Sequence, residues 1–206
     1  MSGPLSVMLA RARLYSQAAP SRASVAYVRQ NGLRLTNVAN LDPILEHAGL
    51  LTVLKISILP GNRWDFLDTG LGDEGETATA AVIEALGRDG RTAVDLIAWP
   101  LNDPSRFLSM FGAASMLGIR NVTSSGEYIF NAPLRIWRTP LRWLQSGCRG
   151  AVVVNPAVAA RDLLDALGRI SGEDREHSEE LFGLVASLFD PARFVAPSPV
   201  YQQGST

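Results

Sequence analysis

Lysine is almost missing from this chain: of 19 basic residues in 206, all but Lys55 are arginine. That bias reads as the imprint of a GC-rich genome, bacterial or bacteriophage, and not as a functional demand. Cysteine is equally scarce. The lone Cys148 excludes an intramolecular disulfide and a cysteine-based zinc site, fits a reducing bacterial cytoplasm, and is expected as core filler. No apolar run approaches membrane-spanning length. Pro4 to Ala19 carries Arg11 and Arg13 inside its apolar pattern, so it is not read as a secretory signal, and the sequon Asn121-Val122-Thr123 carries no glycosylation argument. Also absent are a Walker A lysine loop, a G-x-S-x-G elbow, H-E-x-x-H and C-x-x-C. The expected strand Val152 to Val154 ends in Asn155, where a nucleotide hydrolase would present aspartate. Asp95, at the start of another expected strand, lacks the D-x-D that a toprim-type nuclease would pair with it. No cofactor, no metal and no membrane partner is expected.

What the chain does contain is helix punctuation. Asp42-Pro43, Asp103-Pro104, Thr139-Pro140, Asn155-Pro156 and Asp190-Pro191 each place a capping side chain before a proline. Such a side chain accepts from the free amides of a first helical turn, and proline at the first helical position loses no intrahelical bond. Residues 1–50 read as helical: Leu5, Met8, Leu9 and Ala12 form one stripe, Val25, Val28 and Gly32 a second helix with its stop, and Ile44-Leu45 follow a third start. Leu51 to Leu59 alternates, Pro60-Gly61-Asn62 turns, and Arg63 to Leu67 returns, which predicts a β-hairpin.

Helix is expected over Glu76 to Leu86, Pro104 to Leu117, from Pro140, over Ala157 to Leu167, and over Asp174 to Leu188; strand over Ala93 to Trp99, Leu134 to Trp137, Ala151 to Val154, near Ile170, and over Phe194 to Ala196. The fold class is therefore α/β: a helical N-terminal region and a β-hairpin leading into a mostly parallel, helix-flanked mixed sheet. Length suits a single domain over residues 1–206, with its α/β core at 51–196 and a frayed tail at 197–206.

Charge is unevenly laid down although the net charge is -1. Residues 1–60 hold six basic and two acidic groups, 61–90 two and seven, 91–150 seven and three, and 151–206 four and eight. Either an acidic or a basic block could form a binding face if it segregates on the surface.

Three clusters carry candidate chemistry. Gly70, Gly72 and Gly75 match G-x-G-x-x-G, but Asp68, Asp73, Glu74 and Glu76 around them would repel a pyrophosphate. Arg135, Trp137, Arg138, Arg142, Trp143 and Arg149 interleave guanidinium and indole, a combination that grips a nucleic-acid strand or anchors a protein interface. The plain structural alternative has Leu134 and Ile136 facing the core from a strand, Leu141, Leu144 and Cys148 facing it from a helix, and the arginines in solvent. Glu173-Asp174-Arg175-Glu176-His177 places a carboxylate and an imidazole on one helical face, where they suit acid and base work or simply cap the helix. His47 has no evident partner in the sequence.

Val94 to Trp99, Pro133 to Leu144 and Glu173 to Leu181 together resemble, in outline, uncharacterised proteins carried by prophages and plasmids of GC-rich proteobacteria. The resemblance implies a mobile-element setting and no particular activity. Three readings result. The first is a non-enzymatic accessory protein of a phage or mobile element that binds protein or nucleic acid through the Arg/Trp segment. The second is a small enzyme acting on a phosphorylated molecule, with Asp103, Arg138, Asn155, Asp174 and His177 gathered beyond the strand carboxyl ends. The third is an inhibitor of host defence that uses the acidic face Asp68 to Glu76.

Overall fold

A computed structural model describes residues 4–17, 22–33, 51–67 and 76–189. Two helices, α1 (Pro4–Gln17) and α2 (Arg22–Gln30), precede the strands β1 (Thr52–Leu59), β2 (Arg63–Phe66), β3 (Glu76–Leu86), β4 (Ala93–Pro100) and β5 (Leu108–Ser109). These five close into a barrel in the order β1-β2-β5-β4-β3. The expected hairpin is present, with Ile58 opposite Trp64 and both Gly61 and Asn62 in left-handed backbone at the turn.

Alternation along the barrel strands separates two cores. Ile56, Ile58, Trp64, Phe66, Ala80, Val82, Leu96, Ala98 and Leu108 fill the interior together with Leu14 of α1. Arg11 of α1 also donates to the buried Glu84 carboxylate at 2.7 Å, so α1 is fastened to the barrel by an apolar and a charged contact. The outer residues Val53, Ala81, Ile83, Ala85, Ile97 and Trp99 pack against Tyr27 and Val28 of α2 and against the rest of the chain.

That remainder contains β6 (Met116–Leu117), α3 (Ile119–Val122), a 3-10 segment Ser125–Asn131, β7 (Leu134–Trp137), α4 (Pro140–Gln145), β8 (Ala151–Val153), α5 (Pro156–Leu164), β9 (Ile170–Ser171) and α6 (Arg175–Ala186). Its strands form a second sheet in the order β6-β8-β7-β9, with β7 parallel to both β8 and β9. The chain moves from β7 outward to β8 and then back across β7 to β9. Because crossovers are right-handed, the two connecting helices fall on opposite faces. Trp143 and Leu144 of α4 accordingly join Val152 in the core shared with the barrel. Ala159 and Leu163 of α5 and Leu181 of α6 instead cover Leu134, Ile136 and Ala151 on the far face.

The α/β class therefore holds, but the mostly parallel single sheet does not, and two expected helices are the reason. Glu76–Leu86 is a strand paired with both β1 and β4. Its alanines sit where facing strands crowd together, and Ala80 to Ala85 is buried on both faces. The spacing of Ala78, Val82 and Leu86 that suggested a helix is a coincidence of small residues. Over Pro104 to Leu117 there are turns and two short strands. Asp103 does accept from Arg106 N–H at 3.3 Å, but no helix follows.

The reason lies in the buried side chain of Asp95. Its Oδ1 accepts from the amides of Leu96 and Phe111, and its Oδ2 from Ser109 Oγ and the amides of Ala113 and Ala114. Amides recruited to a carboxylate cannot close helical turns, and Gly112, at a φ of 68°, turns the chain within the loop. The Asp42-Pro43 and Asp190-Pro191 pairs and the strand expected at Phe194 to Ala196 lie outside the described residues.

Asp95→Asn should lower stability by about 2–4 kcal/mol, since either orientation of the amide points its NH2 at two or more N–H donors. Urea unfolding checks this, and a loss below about 1 kcal/mol would show that the loop does not need the carboxylate.

Candidate functional site

The Arg/Trp segment begins on β7, where Leu134 and Ile136 are buried and the side chains between them face away. Arg135 is exposed, donates to Gly172 O, and lies over the Trp137 ring at 5.9 Å. Trp137 is half-buried, and its Nε1 donates to Arg149 O at 2.8 Å. Thr139 then caps α4, its Oγ1 accepting from Arg142 N at 3.3 Å, with Pro140 as the first helical residue. This short helix buries Trp143, which is 1% exposed and donates from Nε1 to Gly150 O at 3.2 Å. Trp143 is thus a core residue, and the interleaved reading loses one of its two indoles.

Gly150 draws the segment tight. It has a φ of 74°, and a Cβ there would stand 2.0 Å from Arg135 O. Asn121 completes the corner by donating from Nδ2 to the carbonyls of Cys148 and Gly150 at 2.8 and 2.7 Å.

The arginines divide into two groups. Arg138 is neutralised: its guanidinium donates to Glu180 at 2.9 Å and Asp174 at 3.4 Å, and its amide to Glu173 Oε1 at 2.6 Å. Its pKa is raised, first by the hydrogen bond to Glu180. Arg135, Arg142 and Arg149 are exposed, and none of them pairs with a carboxylate among the described residues. Glu127, whose carboxylate accepts from Gly150 N at 3.0 Å, stands beside this group without forming an ion pair to it.

Of the five residues considered for a small-molecule site, Arg138, Asp174 and His177 come together. Asp174 caps α6 by accepting from His177 N at 2.7 Å. His177 answers from the third helical position: its Nδ1 accepts from Glu173 N at 3.1 Å, the amide one residue before the N-cap, in a variation on the capping box, where the N-cap's own amide is the donor. Asp174 is held below the usual carboxylate range, first by that backbone bond and then by Arg138. The imidazole is 6% exposed, and burial is the main cause of its lowered pKa. Asp174 Oδ1, His177 Nδ1 and both terminal nitrogens of Arg138 thus already have structural partners.

Asn155 lies elsewhere, at the end of β8, in the wall of a cleft of about 530 Å³ between the barrel and the second sheet. The lining includes Arg63, Ser105, Arg106, Phe107 and Gly112 and none of the other four candidates. Asp103 belongs to the adjoining turn, where it accepts from Ser105 Oγ at 2.6 Å. The five residues therefore do not line one cleft.

Gly70, Gly72, Gly75, Asp68, Asp73, Glu74 and His47 lie outside the described residues. Glu76, at the end of that acidic stretch, pairs with Arg106 at 2.8 Å. Cys148 is buried, and burial pushes its thiol up to about 12. No helix among the described residues is long and apolar enough to cross a membrane. Arg63 was missed as a candidate because it reads as an ordinary hairpin residue. The glycine at 112, with a φ of 68°, lets the loop pass close to the Arg63 guanidinium.

Comparison with protein-family models, with curated proteins and with solved structures finds no match to this chain.

Two measurements check this account. Because the folded His177 pKa is depressed, the unfolded state binds the extra proton, and stability present above the unfolded value near pH 6.5 is lost as pH falls through the folded value. The fall in stability from about pH 7 to 5 should flatten in His177→Gln, clear of the aspartate titrations below about pH 4. Separately, Cys148 should resist a thiol reagent at pH 8 until the chain is unfolded, and rapid native modification would contradict its burial.

Proposed function

We propose that this chain is a non-enzymatic interaction protein that binds an acidic protein surface through Arg135, Trp137, Arg142 and Arg149. The observation that supports the reading is three exposed arginines on the segment that carries a half-buried indole, with Arg135 over its ring and none of the three neutralised among the described residues. Arg138, in the same run, contrasts with them through its two carboxylates. Tryptophan and arginine are the side chains that dominate protein interfaces.

A single-strand grip is less well served. It needs open aromatic faces for bases to stack on, whereas Trp143 is in the core and the Trp137 ring is attended by Arg135. The enzyme reading required its five residues in one place, and their dispersal favours binding over catalysis. A mobile-element setting remains part of this proposal and rests on the outline likeness of the three segments in the second half.

The test is capture of partners from a bacterial lysate by the full chain and by Arg142→Ala/Arg149→Ala. The double variant should keep its circular dichroism spectrum and bind the captured protein roughly tenfold or more weakly. Undiminished capture would overturn the proposal. Tight, arginine-dependent binding of fluorescein-labelled oligothymidine, with no protein captured, would replace it with the nucleic-acid reading.

A further inference from the structure

The cleft between the barrel and the second sheet carries charge that the Arg/Trp surface does not use. Its walls come from the β1–β2 turn, the stretch around β5, and the junction of β8 with α5. Among the described residues they include two arginines and no aspartate or glutamate.

Arg63 is built into the wall. Its Nε donates to the carbonyls of Ser109 and Met110 at 3.0 Å, and one terminal nitrogen donates to Met110 O as well. Neutral carbonyls fix the guanidinium without cancelling its charge, and no carboxylate pairs with it among the described residues. The other terminal nitrogen, Nη1, lies beside Gly112, 2.9 Å from where a Cβ would stand. A guanidinium has five N–H donors. The carbonyls occupy the Nε edge and leave Nη1 for another acceptor. Across the cleft Asn155 occupies the N-cap of α5, yet its side chain makes no capping bond. An amide that leaves its own helix uncapped keeps its donor and acceptor for something in the cleft. Arg106 lines the same space, its charge shared with Glu76 outside the lining.

We propose that this cleft binds the phosphate group of a small phosphorylated molecule, with Arg63 as the charged anchor and Asn155 as the neutral donor opposite. The volume of about 530 Å³ exceeds what a bare phosphate fills and falls in the range of small-ligand pockets. Phe107 offers an apolar wall for the organic remainder. The acidic-partner surface is a separate site, and the two can fail independently.

Titration calorimetry of the full chain with phenyl phosphate, inorganic phosphate and benzoate tests the assignment. Phenyl phosphate should bind most tightly, inorganic phosphate more weakly, and benzoate weakest. The discriminating variant is Asn155→Asp. Aspartate is as good an N-cap as asparagine and suits the positive end of α5, so the thermal midpoint should hold or rise. The same change places an anion against the ligand and should weaken phenyl phosphate binding by roughly tenfold or more. Arg63→Lys keeps the charge but not the fork, and should weaken binding while remaining folded by circular dichroism. Arg142→Ala/Arg149→Ala should leave phenyl phosphate affinity unchanged. Absence of phenyl phosphate binding, affinity unaltered by Asn155→Asp, or loss in the Arg142/Arg149 variant would each overturn the proposal.

Discussion

The seam between the barrel and the second sheet is organised by a carboxylate that no cation among the described residues pairs with. Asp95 is fully buried, and five donors replace the water it gives up on folding: one hydroxyl and four backbone amides. Burying a charge on these terms is tolerable only when every donor is aimed correctly. The loop from Ser109 to Ala114 is therefore shaped largely by one side chain on β4, with Ser109 and Gly112 as its own contributions. Several other features depend on that loop. It supplies the carbonyls that hold Arg63, the glycine that lets the loop pass close to it, and the path by which the chain leaves the barrel for β6.

The parts of the fold legible in the sequence are those set by local rules. The β1–β2 hairpin follows from alternation around Pro60-Gly61-Asn62, and the run from β7 to α6 from caps and apolar periods between residues 134 and 186. Thr139-Pro140 and Asp103-Pro104 show where local rules stop. Both present an oxygen to an amide three residues on. Only the first is followed by a helix, because beyond the second the amides of Phe111, Ala113 and Ala114 are claimed by a residue on another strand. In β3 the deciding influence was likewise remote: closure of the barrel on one side and the α2 and α4 core on the other.

The candidate sites follow the same division. Arg135, Trp137, Arg142 and Arg149 could be named from composition, but not which arginines keep their charge, since the carboxylates that neutralise Arg138 come from α6. His177 was visible as one half of an acid and base pair. Its actual work, holding the chain just before the helix, depends on a ring nitrogen meeting the Glu173 amide at 3.1 Å. Arg63 carried no local signal, because its surroundings are assembled from residues about 46 positions away.

The dependence of the 109–114 loop on Asp95 also bears on how the molecule could be divided. The barrel and the second sheet look separable, each with its own strand order. A cut made between them would nevertheless fall where the carboxylate on one fragment takes its hydrogen bonds from amides near the new chain end. Fragments ending before Phe111 would carry a buried anion deprived of the Phe111, Ala113 and Ala114 donors, and fragments beginning there would carry amides with nowhere to point. The natural unit for dissection, permutation or transplantation is consequently the barrel together with this loop, even though the loop contributes little to the barrel's own sheet.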